Sequence, residues 1–268
     1  MIDENSDLTK TATDGNPRGR VVFGSPGLGK EGRRISVRPE VPIVQLGIGT
    51  VGRVLMNKIV DWNRSGGARP RYSYAGLADS SGLIVREDGL SEEELEQIKE
   101  LKEEGGKLSE VSFECVEEDL GPEQLFGSLE KGILVDVTDS ADMEGTYSSA
   151  IDNGWSVVVA NKVPLTTVDT EEFEWFRHSG LLYETTVGAG LPVISTLDHL
   201  KRQGEDFEEI AAILSGSLSF ILSRIEDGEG LVGAVMEAKD EGYTEPDPSE
   251  DLLGNDVARK SVILGRSL

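Results

Sequence analysis

The sequence predicts an α/β chain built on an open, mainly parallel sheet, and three observations support this. From Val41 onward, short apolar runs alternate with longer stretches of helical periodicity. A glycine-rich turn, Gly47-Ile48-Gly49-Thr50-Val51-Gly52, sits where the first apolar run gives way to the first helical one. Beyond Leu181 the rhythm shifts to longer elements and special loops, which marks a second domain.

The elements follow in order. Val41–Leu46 reads as a buried strand, Val51–Trp62 as a helix and Tyr72–Ala78 as a second strand. Ser91–Glu104 opens with Ser followed by Glu, a helix-start signal. Ile133–Val137 and Ser156–Ala160 are further strands, with a helix through Tyr147 between them. In the second domain Phe207–Leu214 is a strand candidate, and Val232–Asp240 and Asn255–Arg266 are helix candidates. The expected division is an extension over 1–40, a first domain over 41–182 and a second over 183–268.

Residues 1–40 hold few large apolar side chains and read as a disordered extension. They contain Gly24-Ser25-Pro26-Gly27-Leu28-Gly29-Lys30, which has the spacing of a phosphate-binding loop. The next position should be Ser or Thr to hold magnesium and is Glu31, and no amphipathic helix follows. The match is loop composition.

The formal net charge is −24, and the acidic excess lies after residue 40. Such a surface repels nucleic-acid backbones and anionic membranes, so neither is an expected partner. No apolar run approaches the roughly 20 residues of a membrane span. The N-terminus carries acid where a secretory signal needs base, and the single cysteine, Cys115, fits a reducing cytoplasm.

The glycine turn has the pattern of a dinucleotide site. Gly47 permits the tight turn, Gly49 lets the backbone approach a pyrophosphate, and Gly52 permits close packing of helix on strand. Thr50 and Val51 open the helix whose N-terminus faces the phosphates. This assigns 41–182 to a Rossmann-type nucleotide-binding domain, followed by a second, α+β domain. Asp79, after the second strand, is placed to accept from a ribose hydroxyl, although it lies 27 residues beyond Gly52, longer than the usual unit. Arg71 and Arg86 are equally placed in sequence to meet a 2′-phosphate, so NAD and NADP both stay open. Thr138 and Asn161-Lys162 fall at the C-terminal ends of later strands, the edge where open parallel sheets bind ligands.

Gly242-Tyr243-Thr244-Glu245-Pro246-Asp247-Pro248 is followed by Asp251 and by Asn255-Asp256-Val257-Ala258-Arg259-Lys260. Two prolines stiffen the first part. Asp256 and Lys260, four apart, share one helix face. Read alone, the segment is as well explained by a surface ion pair and an acidic turn.

Four blocks together give the sequence a relative. They are the glycine turn, Ala160-Asn161-Lys162 with Pro164-Leu165, Tyr183-Glu184-Thr185-Thr186-Val187-Gly188-Ala189-Gly190-Leu191-Pro192, and the segment 242–260. Over residues 42–266 the chain closely resembles homoserine dehydrogenase, which interconverts aspartate semialdehyde and homoserine with NADP or NAD. That reaction serves threonine, methionine and isoleucine biosynthesis. The resemblance implies Lys260 as acid/base with Lys162 near the reacting centre and the cofactor. A lysine suits that role if burial or a neighbouring cation brings its pKa toward neutrality. It further implies that Glu245, Asp251 and Asp256, with Gly242 and Tyr243, hold a small substrate carrying an ammonium group. Glu184 and the carbonyls of Val187, Ala189 and Leu191 are implied to bind a monovalent cation, typically sodium. A homodimer or higher homo-oligomer is implied too. The family pattern continues past Leu268 into a segment that returns to the first domain, and residues 1–40 are too few for a fused aspartate kinase.

Three rivals are weaker. A phosphorylating semialdehyde dehydrogenase needs a thiolate, and Cys115 lies between Glu114 and Glu117, which oppose one. A non-catalytic nicotinamide-binding regulator of the same fold keeps the glycines but does not need Glu245, Asp251 and Lys260 together. A P-loop nucleotidase rests on the Gly24–Lys30 match alone. His178 and His199 lack metal spacing and read as helix residues.

The acidic surface implies a high-salt habitat, where screening over a few ångströms makes dense carboxylate tolerable. Stability and activity are expected to rise with added salt in thermal melts and rate assays. An optimum in low salt contradicts this.

Overall fold

The computed structural model describes residues 40–66, 70–111, 122–244 and 249–268. The residues before Glu40, with the Gly24–Lys30 match, lie outside them, as do Cys115 and Glu245; the side chain of Asp251 is likewise not described.

The chain runs β1 (Glu40–Leu46), α1 (Thr50–Ser65), β2 (Arg71–Asp79), β3 (Gly82–Val85), α2 (Glu92–Glu103), α3 (Pro122–Ser128), β4 (Ile133–Asp136), α4 (Glu144–Asp152), β5 (Ser156–Val159), α5 (Pro164–Thr167), α6 (Thr170–Ser179) and β6 (Leu181–Leu182). Helices α7 (Val193–Arg202), α8 (Gly216–Glu226), α9 (Leu231–Asp240), α10 (Ser249–Leu252) and α11 (Asn255–Ser267) follow. One sheet holds the strands in the order β3-β2-β1-β4-β5-β6. All pairings are parallel except β2 with β3, a hairpin at one edge.

Alternation along β1 divides the core. Ile43 packs with Met56, Tyr74, Leu77 and Ile98 on one face of the sheet, and its neighbour Val44 packs with Leu134, Tyr147, Val157 and Phe173 on the other. A sheet covered on both faces explains why its strands read as nearly continuous apolar runs. The predicted start of α2 is a full capping box: the Ser91 side chain accepts from the Glu94 backbone, and the Glu94 side chain accepts from that of Ser91.

The expected strand at Phe207–Leu214 does not form; no regular element spans it. Ile213 is 84% exposed and Ile210 38%. An apolar run becomes a strand only beside a partner that takes its backbone bonds, and no described strand pairs with this one. Beyond β6 the regular elements among the described residues are helical. Helices α8 and α9 share a small core of Ile221, Ala234 and Ala238.

Helix α11 returns to the sheet layer. Ile263 and Leu264 join the core that includes Val44 and Phe173. Arg266 donates to the carbonyls of Leu165 and Val168, both at 2.8 Å, and its guanidinium lies over the Phe173 ring. These contacts carry Lys260, two turns back along α11, to the C-terminal ends of the strands.

Candidate active site

The strand order reverses direction at β1, whose neighbours are β2 and β4. Side-by-side strands whose connections leave in opposite directions open a crevice at their C-terminal ends. A cleft of about 740 Å³ lies there, lined by Gly47 and Gly49 after β1, Asp79 and Ser80 after β2, and Thr138 and Ser140 after β4, with Arg53, Lys102 and Met143 at its walls.

Glycine is needed at the first and third fingerprint positions. Gly47 has φ of +97°, and an added Cβ would sit 2.9 Å from the Val137 carbonyl oxygen. At Gly52 it would lie 2.2 Å from the Gly47 oxygen. The Gly49 position is open, with nothing within 4 Å of an added Cβ. Thr50 and Val51 are exposed at the start of α1, which has no side-chain cap, so its first N–H groups remain available to an anion. Buried Gln45 braces the turn: its amide donates to the Gly47 carbonyl at 2.9 Å and its carbonyl accepts from the Tyr74 hydroxyl at 2.9 Å. Burial pushes the Tyr74 phenol up, which keeps it a neutral donor.

A second buried network orders the next two strand ends. Asp136 is fully buried. Its carboxylate accepts from the Thr138 backbone at 2.8 Å, from the Asn161 amide at 3.1 Å and from the Tyr147 hydroxyl. Burial first, then the charge of Asp136, push the Tyr147 phenol up. Asn161 also donates to the Thr138 hydroxyl and the Ser140 carbonyl, and its own carbonyl accepts from Val163. The Asn161-Lys162 turn is thereby pinned to the cleft wall. Of these groups the sequence reading singled out Thr138 and Asn161; the signal for Asp136 and Gln45 was a polar residue interrupting each apolar strand.

Lys162 does not line the cleft. Its ammonium lies 3.4 Å from one Asp256 oxygen, and the Lys260 ammonium lies 2.5 Å from the other. Lys260 also donates to the Leu214 carbonyl at 2.7 Å. Burial pushes the Asp256 carboxyl up, but its bond from Lys260 and the charges of both lysines outweigh that and hold it below the ordinary aspartate range. Two ammoniums and one carboxylate, from the loop after β5 and from α11, thus converge.

Gly242 and Tyr243 are held elsewhere in the described contacts. Gly242 has φ of +76° and caps α9, donating to the Lys239 carbonyl, while Tyr243 stacks on Phe220 with ring centroids 4.5 Å apart. Asp251 lies in α10. Both Glu184 oxygens accept from the first turn of α7, from Ile194 and Ser195 at 2.9 Å each. The carboxylate thus caps that helix and complements its dipole. Val187 is buried, Ala189 has φ of +51° and Leu191 is exposed. His178 and His199 are exposed on α6 and α7.

Comparison with known proteins adds the family. The homoserine dehydrogenase of Pyrococcus horikoshii is 34% identical over 228 residues, 84% of this chain and 68% of that protein. This chain belongs to the homoserine dehydrogenase family. The family model described as homoserine dehydrogenase matches residues 192–268. A bifunctional aspartokinase/homoserine dehydrogenase of Buchnera aphidicola is 44% identical over 143 residues, which is 50% of this chain but 17% of that protein. Among solved structures, a hyperthermophilic archaeal homoserine dehydrogenase in complex with NADPH is similar with a TM-score of 0.70 at 33% identity, over 85% of this chain and 69% of the other. That of Thermoplasma acidophilum has a TM-score of 0.63 at 28% identity, over 84% and 68%. The chain therefore spans about two thirds of its single-function relatives and a small part of the bifunctional ones.

Asp256 titrates below its unfolded value of about 3.9. Its pairing therefore stabilises the fold fully above that pH, and the contribution is lost as pH falls through the lower folded value. Thermal melts across this range should show Asp256→Asn less stable than the parent at neutral pH, with the gap closing in acid. A gap that is independent of pH contradicts the assignment.

Proposed function

We propose that the protein is a homoserine dehydrogenase, transferring hydride reversibly between L-aspartate 4-semialdehyde and L-homoserine with a nicotinamide dinucleotide. The observation that carries this reading is the convergence of Lys162 and Lys260 on Asp256 beside the glycine-turn cleft. The cleft residues fit a dinucleotide: Gly49 leaves the backbone bare, Gly47 and Gly52 admit no Cβ, and the first N–H groups of α1 are uncapped. NADPH accompanies the archaeal relative's structure. When bound, the nicotinamide would supply or accept the hydride.

The chain's own residues have the remaining work. Reduction of an aldehyde puts a proton on the carbonyl oxygen, and oxidation removes it from the hydroxyl. Lys260 is assigned that proton, moving on and off its Nζ, with the Leu214 carbonyl and Asp256 fixing the direction of the ammonium. Lys162 places a second positive charge where the oxygen would become negative. Asp256, together with Asp251 and Glu245, is assigned the substrate ammonium, whose charge would otherwise be buried unpaired. Gly242 and Tyr243 are proposed to complete the substrate wall.

We assign residues 41–182 to the dinucleotide and 183–268 to substrate. Glu184 is proposed to hold sodium with the Val187, Ala189 and Leu191 carbonyls in a structural role only, because its carboxylate already serves α7. Exposed Leu222, Val232 and Met236 on α8 and α9 support a homo-oligomer, and the single cysteine supports a cytoplasmic setting. No helix among the described residues is long and apolar enough to cross a membrane.

The test is homoserine oxidation by the full-length protein in high salt with NAD or NADP. Lys260→Ala should lower kcat by about 10²–10⁴-fold, the usual worth of general acid–base catalysis. A loss of less than about tenfold overturns the assignment. Dinucleotide binding without turnover in the unaltered protein favours the non-catalytic regulator instead.

A further inference from the structure

The cleft wall formed by β2 carries a charge arrangement that bears on which dinucleotide enters. Asp79, the last residue of β2, turns its carboxylate along the cleft wall with a side chain 12% exposed. Oδ1 accepts from the Ser81 backbone at 2.7 Å and the Ser81 hydroxyl at 2.6 Å, and Oδ2 lies 2.7 Å from the Lys102 ammonium. Lys102 donates also to the Gly106 carbonyl at 2.8 Å. Burial works against the charge on Asp79, but Lys102 and Ser81 outweigh it and keep the carboxyl below its ordinary range.

The other cation of this wall is committed too. Arg53 donates to the Ile48 carbonyl at 3.1 Å and lies 3.8 Å from Glu103. Arg53 and Lys102 are thus balanced by Asp79 and Glu103, while Asp139 adds a negative charge on the opposite wall. The residue after Asp79 is Ser80, small, neutral and exposed in the cleft. The two arginines that the sequence offered for a 2′-phosphate are placed elsewhere. Arg71 begins β2, eight residues or roughly 26 Å of extended strand from Asp79. Arg86 follows β3, and its guanidinium pairs with Glu94 at 3.1 Å.

We propose that the Asp79–Lys102 pair selects for the dinucleotide with a free ribose 2′-hydroxyl, NAD over NADP. The proposal rests on the dinucleotide reading of the cleft given above. A carboxylate has about four acceptor positions, of which Ser81 and Lys102 occupy three, and a hydroxyl can supply the fourth bond. A 2′-phosphate would instead bring nearly two negative charges against Asp79, and could recruit Lys102 only by breaking its pair.

Calorimetric titration with NAD and with NADP separates the possibilities without requiring turnover. The unaltered protein should bind NAD about ten- to a hundredfold more tightly, the range that one bond to a charged group covers. Asp79→Asn should release Lys102 and narrow or invert that ratio. Ser80→Arg, at an exposed position that need not disturb folding, should raise NADP affinity and so narrow the ratio. NADP binding as tight as NAD in the unaltered protein overturns the selectivity alone, as does an unchanged ratio in both variants. Binding of neither overturns the dinucleotide reading, and this proposal with it.

Discussion

Two ammonium groups cannot share one small volume without an anion between them, and Asp256 supplies it. At an effective dielectric near 20, two unit charges about 4 Å apart repel by about 4 kcal/mol. Asp256 replaces that repulsion with two attractive contacts, one to each of its oxygens. The arrangement ties the loop after β5, which carries Lys162, to α11, which carries Lys260. The same contacts, with the Leu214 carbonyl, fix the direction of the Lys260 ammonium.

The rest of the fold keeps these parts in register. Parallel strands place the ends of β1, β2, β4 and β5 along one edge, so that the glycine turn, Asp79, Thr138 and Asn161-Lys162 meet there. Buried polar side chains fix the turns: Gln45 with Tyr74 under Gly47, and Asp136 with Tyr147 and Asn161 under Thr138 and Lys162. Such networks are costly unless every member is paired, and for that reason they specify one geometry. Arg266 does the corresponding work for α11 through the carbonyls of Leu165 and Val168.

Much of this was legible in the sequence. Wherever apolar periodicity spanned a whole element, as in β1, β2 and α11, the expected and observed elements agree within a few residues. The long interval between Gly52 and Asp79 also has a plain cause: α1 has 16 residues and β2 has nine. Phe207–Leu214 failed because a strand is a property of a pair, and an apolar run cannot announce whether its partner is present. Three features had no local signature: the hairpin edge of β3, the clamping of Asp79 by Lys102, and the use of Glu184 as a cap for α7. Each depends on a residue brought near by topology. The pairing of Lys162 with Asp256 is of the same kind, since the two lie 94 residues apart and only the fold brings them together.

The geometry points to Lys162 and Lys260 acting as one unit through Asp256, rather than as two separate charges. A double-mutant cycle on kcat for homoserine oxidation tests it most directly, using Lys162→Met, Lys260→Met and the pair. Groups that act as a unit are strongly non-additive. The double variant should then be scarcely slower than the slower single variant. Losses that multiply would contradict it.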